Sequence, residues 1–405
     1  MKVLSLCDPT QYKRPPLDVP TYYQRLASDP RVQLYHVPAP DVTQAQMSPP
    51  LIQAIASPSS LSYDEFVTLC DRPSQPISLE EIDLVFCRTL KPYAPTYLSQ
   101  LSQWERFTQF VNRPTGKQRQ MQADFLLNIA APFMPETIVT SDYTEAHAFF
   151  EKHQIIVAKA ANSTGGRGVF KIYYENGRYC VDNILTGLGT FSNFSEVMRC
   201  LQSGCVSGDC EALQLCRYLP NTLAGDKRVV VVDGEIYGSY LRKSKSGHWV
   251  NNVSADGTCS LCDISADERK AIVSTAHYYQ QMGLHTLGYD FLMDDDGTWR
   301  ISEINAGNIG GFARLEMLTG QPVMDRLIDW MLAFAQRSFD NSVVNSALAG
   351  SGRTSTEPVA SERVVETQAV ETQAVETRAV ETLPEKTQVS SKLSQDSQIA
   401  IAASR

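Results

Sequence analysis

Residues 228–241, Arg228-Val-Val-Val-Val-Asp233-Gly234-Glu-Ile-Tyr-Gly-Ser-Tyr-Leu241, constrain the fold more than any other segment of the chain. Four successive valines suit a strand covered on both faces, and Asp-Gly accepts the positive φ angles of a tight hairpin turn. A second pair of β-like runs, Leu287–Met293 and Thr298–Asn305, flanks the turn-rich Asp294-Asp-Asp-Gly297. If Met293 pairs with Thr298, Asp290 lies opposite Ile301 and diagonal to Glu303. Period-two alternation then puts Glu303 and Asn305 on the face of Asp290. Three hard oxygen donors would converge there, a set suited to Mg²⁺ shared with phosphate oxygens. The Asp294–Asp296 loop lacks calcium-loop spacing and reads as a solvated turn.

Around these hairpins the chain reads as α/β, becoming α+β towards its C-terminal part. Lys2–Cys7, Val32–Val37 and Ile82–Cys87 are predicted strands, with a short helix at Tyr22–Leu26 between the first two. Such alternation predicts a largely parallel sheet whose ligands sit at strand C-terminal ends, where Asp8 and Arg88 fall. A second unit starts near residue 113. It carries a predicted helix over Gln118–Ile129, strands at Glu136–Thr140, Gln154–Lys159 and Val169–Tyr173, a helix over Ser265–Met282, and a closing helix from Val323 to Phe334.

The C-terminal segment separates by composition. Phe339 is the last aromatic, and Val-Glu-Thr recurs every five residues at Glu366, Glu371, Glu376 and Glu381. A five-residue period carries its valines around a helix by about 140° per repeat, so no stripe forms. Without aromatics to bury, 341–405 reads as a disordered low-complexity tail. The expected organisation is 1–112, 113–340 and 341–405.

Composition excludes several classes. The chain has 405 residues, 43% hydrophobic and 20% charged, with a net charge of −9. That is globular composition, and the acidic balance argues against a nucleic-acid backbone binder. No apolar run reaches a membrane span, the N-terminus is too short in apolar residues for a leader, and ten dispersed cysteines do not make a disulfide scaffold. The expectation is a cytoplasmic protein with reduced thiols and no nucleic-acid or membrane partner. Cys200, Cys205 and Cys210, and the pair Cys259 and Cys262, lack the spacing of a zinc or iron–sulfur site.

Two further segments carry chemistry. In Val157-Ala-Lys159-Ala-Ala-Asn-Ser-Thr-Gly165-Gly166-Arg167-Gly168, a strand delivers a lysine into a glycine-rich loop. Glycines admit close approach of backbone N–H groups to anionic oxygens, and lysine adds a point charge. The string is neither a P-loop nor a dinucleotide fingerprint. Directly after Asn305, Gly307-Asn-Ile-Gly310-Gly311-Phe-Ala-Arg314 leaves room for a ligand beside the metal-type face.

This order of motifs resembles the ATP-grasp superfamily, and within it bacterial glutathione synthetase, along roughly residues 1–335. The resemblance is most specific at Tyr218-Leu-Pro220, Gly225-Asp226-Lys227-Arg228 through Glu235, and Glu303-Ile304-Asn305. It implies a Rossmann-like N-terminal domain, then an ATP-grasp fold of two subdomains. By resemblance Lys159 contacts phosphates, Gly165, Gly166, Arg167 and Gly168 close over them, and Arg217-Tyr218-Leu219 form the adenine hinge with Asp226 nearby. Arg228 stabilises the reacting oxygens. Asp290, Glu303 and Asn305 hold Mg²⁺, two ions being expected. Arg88, Asn252, Gly310, Gly311 and Arg314 fall on the substrate side. The implied activity is ATP-dependent joining of a carboxylate to an amine through an acyl phosphate, with small-molecule or peptide substrates and self-association left open. Alternatives are a ligase for a different amino acid or peptide, and a silent nucleotide-binding scaffold. The chain departs from the family at Gln118–Asp124, where an early ATP lysine is absent and Lys117 is the nearest substitute. It departs again at Val250–Gly257, which lacks an arginine, and in its Gly/Asn-rich loop after Asn305. Arg167, Arg242 and Lys243 are further sources of replacement charge.

Overall fold

The computed structural model describes residues 1–12, 18–44, 49–159, 167–203, 212–244, 249–250 and 257–350, with Leu223 and 338–350 described by their backbone alone. Gly165, Gly166 and Asn252 lie outside the described residues, as do Cys205, Cys210 and the Val-Glu-Thr repeats. Residues 1–338 form one compact unit.

Strands β1 (Lys2–Cys7), β2 (Gln33–Pro38), β3 (Leu51–Ala56), β4 (Gln75–Ser78) and β5 (Leu84–Cys87) form the first sheet, in the order β4-β3-β2-β1-β5. β1 is parallel to both β2 and β5, as strand–helix alternation predicts. β3 and β4 come from the Pro/Ser-rich stretch and join antiparallel, so the sheet is mixed instead of largely parallel. Helix α1 (Asp18–Ser28) buries Tyr22, Tyr23 and Leu26 on one side. A short helix α2 (Tyr63–Val67) starts on a Ser62/Glu65 capping box, and α3 (Tyr97–Trp104) covers the other side with Tyr97, Leu101 and Trp104.

The predicted helix over Gln118–Ile129 is two helices, α4 (Pro114–Gln120) and α5 (Phe125–Ala130). Pro114 opens α4, where its missing N–H costs nothing. The polar run Gln118–Gln122 offers no apolar stripe to hold a continuous helix on the core. The second sheet contains β6 (Thr137–Thr140), β7 (Ile155–Lys159), β8 (Val169–Glu175), β9 (Arg178–Asn183), β10 (Gly187–Phe191) and β11 (Leu213–Arg217), in the order β10-β9-β8-β7-β11-β6. Helices α6 (Tyr143–His153) and α7 (Phe194–Ser203) cover one face with Phe149, Phe150, Phe194 and Val197.

The third sheet is antiparallel: β12 (Asp226–Val232), β13 (Glu235–Lys243), β14 (Thr258–Leu261), β15 (Thr286–Met293) and β16 (Trp299–Ala306), in the order β14-β13-β12-β15-β16. Asp233 (φ 50°) and Gly234 (φ 82°) form the predicted hairpin turn. Val229 and Val231 pack with helix α8 (Ala266–Gln281), whereas Val230 and Val232 join the core shared with α9 (Phe312–Thr319) and α10 (Val323–Gly350). Ser265 and Glu268 form the capping box of α8. Glu268 also accepts from the Lys227 ammonium at 2.9 Å, which ties the helix start to β12. Among the described residues no helix is long and apolar enough to cross a membrane.

Candidate active site

The second and third sheets face each other across a cleft of about 260 Å³. Val157, Cys216, Leu219, Val250 and Leu292 give it apolar walls, while Lys91, Lys159, Asp226, Glu303 and Asn305 supply charge and amide groups. Few convergent polar groups in a mostly apolar cleft are what a small-molecule site needs.

A β-bulge decides which side chains meet. β15 and β16 pair Met293 with Trp299, Phe291 with Ile301, and then Asp290 with Glu303; Ser302 is the extra residue. The expected Met293–Thr298 register is therefore wrong by one, and Asp290 sits directly opposite Glu303, not opposite Ile301. The extra residue also changes the faces. Ile301 and Ile304, three apart, both pack against α8, which strict alternation forbids. Glu303 and Asn305 consequently emerge together on the cleft face, with Gly288 opposite Asn305. The bulged Ser302 turns its carbonyl to the cleft, where the Lys159 ammonium donates to it at 2.5 Å from the opposing sheet.

Asp290 is the centre of an ionic cluster. Arg228 donates through Nε to Oδ1 (2.5 Å) and through Nη2 to Oδ2 (2.8 Å). Arg242 Nη2 adds a contact to Oδ1 at 2.7 Å, and Asn305 Nδ2 one to Oδ2 at 3.1 Å. Four donors fill the lone-pair capacity of one carboxylate. Burial works against ionisation of Asp290, but the two guanidiniums outweigh it and hold the acid below its usual range. Asp226, next along the same face, accepts from Arg242 at 2.6 Å and, among the described residues, leaves Oδ1 buried without a partner. Burial pushes its acid up to about 6, with Asp290 adding and Arg242 opposing. Arg228 also donates to the Gly310 carbonyl at 3.1 Å.

Three comparisons bear on this arrangement. Residues 125–320 match the family described as prokaryotic glutathione synthetase, ATP-grasp domain. Among curated relatives, glutathione synthetase of Nostoc sp. is 26% identical over 260 residues, covering 63% of this chain and 72% of the relative. That of Rhodopseudomonas palustris is 23% identical over 256 residues, covering 62% and 74%. In fold, D-cycloserine synthetase DcsG aligns with a TM-score of 0.53 at 12% identity, over 83% of this chain and 99% of its own. The ATP-grasp ligase PsnB with its minimal precursor aligns with a TM-score of 0.51 at 14% identity, over 82% and 98%. Residues 125–320 are an ATP-grasp domain, and the chain is an enzyme of the carboxylate–amine ligase type.

Within the ATP-grasp cleft the expected residues are distributed unevenly. Lys159, Gly168, Arg217, Tyr218, Leu219, Asp226, Glu303 and Asn305 line it. Arg217 lines the wall, but its guanidinium is taken by Asp294 at 2.7 and 2.8 Å and Asp295 at 3.2 Å. Asp294 is accordingly buried, and Arg300 Nε reaches it at 3.2 Å; the expectation of a wholly solvated turn fails at that residue. Arg167 is exposed, with its carbonyl accepting from Asn183 at 2.8 Å. Lys117 is buried and donates to Gln120 at 2.5 Å, outside the cleft lining. Burial, then repulsion from Lys91, draws its ammonium well below the usual range, with Glu303 opposing. Lys91, which no reading of the sequence placed at the nucleotide, does line the cleft. Burial lowers its ammonium too, against the pull of Glu303. Its position just past β5 was the available signal. On the substrate side, Gly310 and Gly311 are held by Arg228 and Asp18, Arg88 is fully buried beneath them, and Arg314 is half-buried in the first turn of α9. Among the described residues no cluster of three His, Cys, Asp or Glu side chains is placed to hold a metal.

Proposed function

We propose that this ligase is an ATP- and Mg²⁺-dependent enzyme that joins a carboxylate to an amine through an acyl phosphate. The observation that carries the reading is the bulge at Ser302, which sets Glu303 and Asn305 on the cleft face opposite Lys159. The donor chemistry fits a hard divalent cation. Among the described residues the Glu303 carboxylate accepts no hydrogen bond, and the Asn305 amide points its nitrogen at Asp290, leaving Oδ1 to accept. Glu303 and Asn305 would hold the ion; Asp290 would join them only by releasing one of its four donors. When bound, the ion neutralises phosphate charge during phosphoryl transfer.

The protein's own groups account for the rest. Lys159 has a point charge ready at the phosphate end, held on a carbonyl it can exchange for an anionic oxygen. Arg228, fixed bidentately, is a preorganised donor for charge that develops on the transferred group or the carboxylate. Apolar walls at Val157, Leu219, Val250 and Leu292 keep water from an intermediate that water would destroy. Glu303→Gln should remain folded and lose Mg²⁺-dependent ADP release on the order of 100-fold. Full activity in that variant ends the metal-ligand reading, and absence of nucleotide binding by wild type with Mg²⁺ ends the ligase reading.

A second reading, a peptide acceptor in place of an amino acid, is favoured by the loop Gly307–Gly311, which has no hydroxyl side chain. Turnover with γ-glutamylcysteine plus glycine against a panel of peptides separates the two.

A further inference from the structure

Asn112 does with one side chain what a peptide group does in a sheet. It ends an extended piece that joins the first sheet: Phe110 bridges β5 in parallel at Val85, and the Val111 N–H donates to the Val85 carbonyl at 3.0 Å. Asn112 itself bridges Leu284, on the approach to β15, so one short run of chain touches both the first and the third sheet. The residue is buried. Its Oδ1 accepts from the N–H groups of His285 at 2.8 Å and Thr286 at 3.0 Å. Its Nδ2 donates to the Thr286 hydroxyl at 2.6 Å and to the Gly307 carbonyl at 3.3 Å. Two lone pairs and two N–H groups are the whole capacity of an amide, and all are used.

Thr286 and Gly307 are the residues that the next rung of the third sheet would join. β15 and β16 pair Gly288 with Asn305 and Leu287 with Ala306, and the ladder ends there. One step further Thr286 would stand opposite Gly307, N–H to carbonyl. The Asn112 amide occupies that place, taking the Thr286 N–H on its oxygen and giving its own N–H to the Gly307 carbonyl. Thr286 and Gly307 lie 174 and 195 positions from Asn112 in the chain, so no local turn preference sets this stop. Gly307 leaves the strand at φ 100°, a glycine conformation, and its carbonyl also accepts from the Ile309 N–H at 3.0 Å. Farther along, Arg88 Nη2 donates to the Ile309 carbonyl at 2.9 Å, and Arg228 Nη1 donates to the Gly310 carbonyl at 3.1 Å. Asn112 is thus the first of three side chains gripping the carbonyls of this loop, and the one nearest in sequence to Asn305.

We infer that Asn112 is a positioning residue: its amide is a side-chain rung that fixes where the strand carrying Glu303 and Asn305 ends and where the loop Gly307–Gly311 begins. The consequence for Mg²⁺ rests on the ligase reading, whereas the consequence for the loop does not.

The test compares the full-length wild type with Asn112→Asp and Thr286→Val. Aspartate keeps an oxygen for the two N–H groups but sets its second oxygen against the Gly307 carbonyl, so the β15 contacts stay and the loop contact is lost. Peptide-resolved hydrogen exchange over Gly307–Gly311 should become about fivefold to tenfold faster, the worth of one net hydrogen bond, with exchange over Leu287–Phe291 unchanged. Calorimetric titration with ADP should show the affinity gained from Mg²⁺ reduced about tenfold, while ADP binding in EDTA keeps its wild-type value. Thr286→Val removes a single hydroxyl; it should melt lower than wild type and match it in both other readouts. Unchanged loop exchange in Asn112→Asp, or equal disturbance of the loop by Thr286→Val, would overturn the inference. A faster loop with the Mg²⁺ gain intact would overturn the link to Asn305. If Asn112→Asp does not fold, wild type decides: the His285 and Thr286 amides should exchange as slowly as that of Leu287, and fast exchange there would overturn the rung. A wild type whose ADP affinity does not respond to Mg²⁺ sinks the ligase reading and leaves the exchange result standing.

Discussion

Asp226 and Asp290 are neighbours on one face with opposite acid–base behaviour, and the cause is how many donors each has. Asp290 meets two guanidiniums and an amide; Asp226 shares one guanidinium and leaves an oxygen unmet in the interior. An acid raised to about 6 in the folded chain binds its proton more tightly there than when unfolded. Its contribution to stability is full below about pH 4 and is lost as pH climbs through 6. Asp226→Asn should therefore become progressively more stable than wild type across that window, read as the difference in urea midpoints between pH 4 and 7. Parallel curves would show that Asp226 does not titrate there. At this scale the sequence was informative where chemistry is carried by residue type at a strand end: Lys159, Asp226, Glu303 and Asn305 all line the cleft. It was silent on partner saturation. Nothing in the string Leu-Gly-Tyr-Asp290 says that the carboxylate is already filled by arginines 62 and 48 positions away.

The third sheet shows how much hangs on single positions within an element. Gly288 lies under Arg228: a Cβ there would stand 3.1 Å from Nη1 and 3.3 Å from both Cζ and Nε. Because the guanidinium is fixed to Asp290 by two bonds, it cannot yield. Gly288→Ala should cost about 1–3 kcal/mol in denaturant unfolding and lower turnover, while Gly189→Ala, where the nearest atom to a Cβ would stand at 3.5 Å, should cost less. Equal effects would mean that the Arg228 position tolerates displacement. The hairpins themselves were legible, since valine runs, Asp-Gly and alternating apolar residues are local signals. The bulge was not. One extra residue in β16 leaves no composition signature, yet it exchanges the faces of everything that follows, and it shows in the strand register and in the shared burial of Ile301 and Ile304. Likewise α4 and α5 read as one helix because helical propensity is continuous across a break that tertiary packing imposes.

Over the whole molecule, a net charge of −9 conceals a balanced interior: Arg88, Lys117, Lys227 and Arg228 are buried, and so are Asp226, Glu268, Asp290 and Asp294. Long-range contacts set that pattern, and they lie beyond sequence reading because each joins segments far apart in the chain. The second and third sheets are fastened to each other by Arg217, Asp294 and Arg300, with Asn221 donating to the Asp294 carbonyl at 2.8 Å. Asp294→Asn should destabilise the chain by about 2–3 kcal/mol and raise the KM for ATP more than it lowers kcat, since it loosens the frame and touches no reacting group. An unchanged KM with a lowered kcat would contradict that division. A different linkage runs through the loop after β16. Two guanidiniums rooted in separate sheets grip consecutive peptide carbonyls at 309 and 310, so tension on one is passed to the other across a single residue. Occupancy on the acceptor side should thus strengthen retention of nucleotide, and by reciprocity the converse. Titrations of each reactant with and without the other would expose such synergy, and strict independence would mean that the strand between the two grips goes slack.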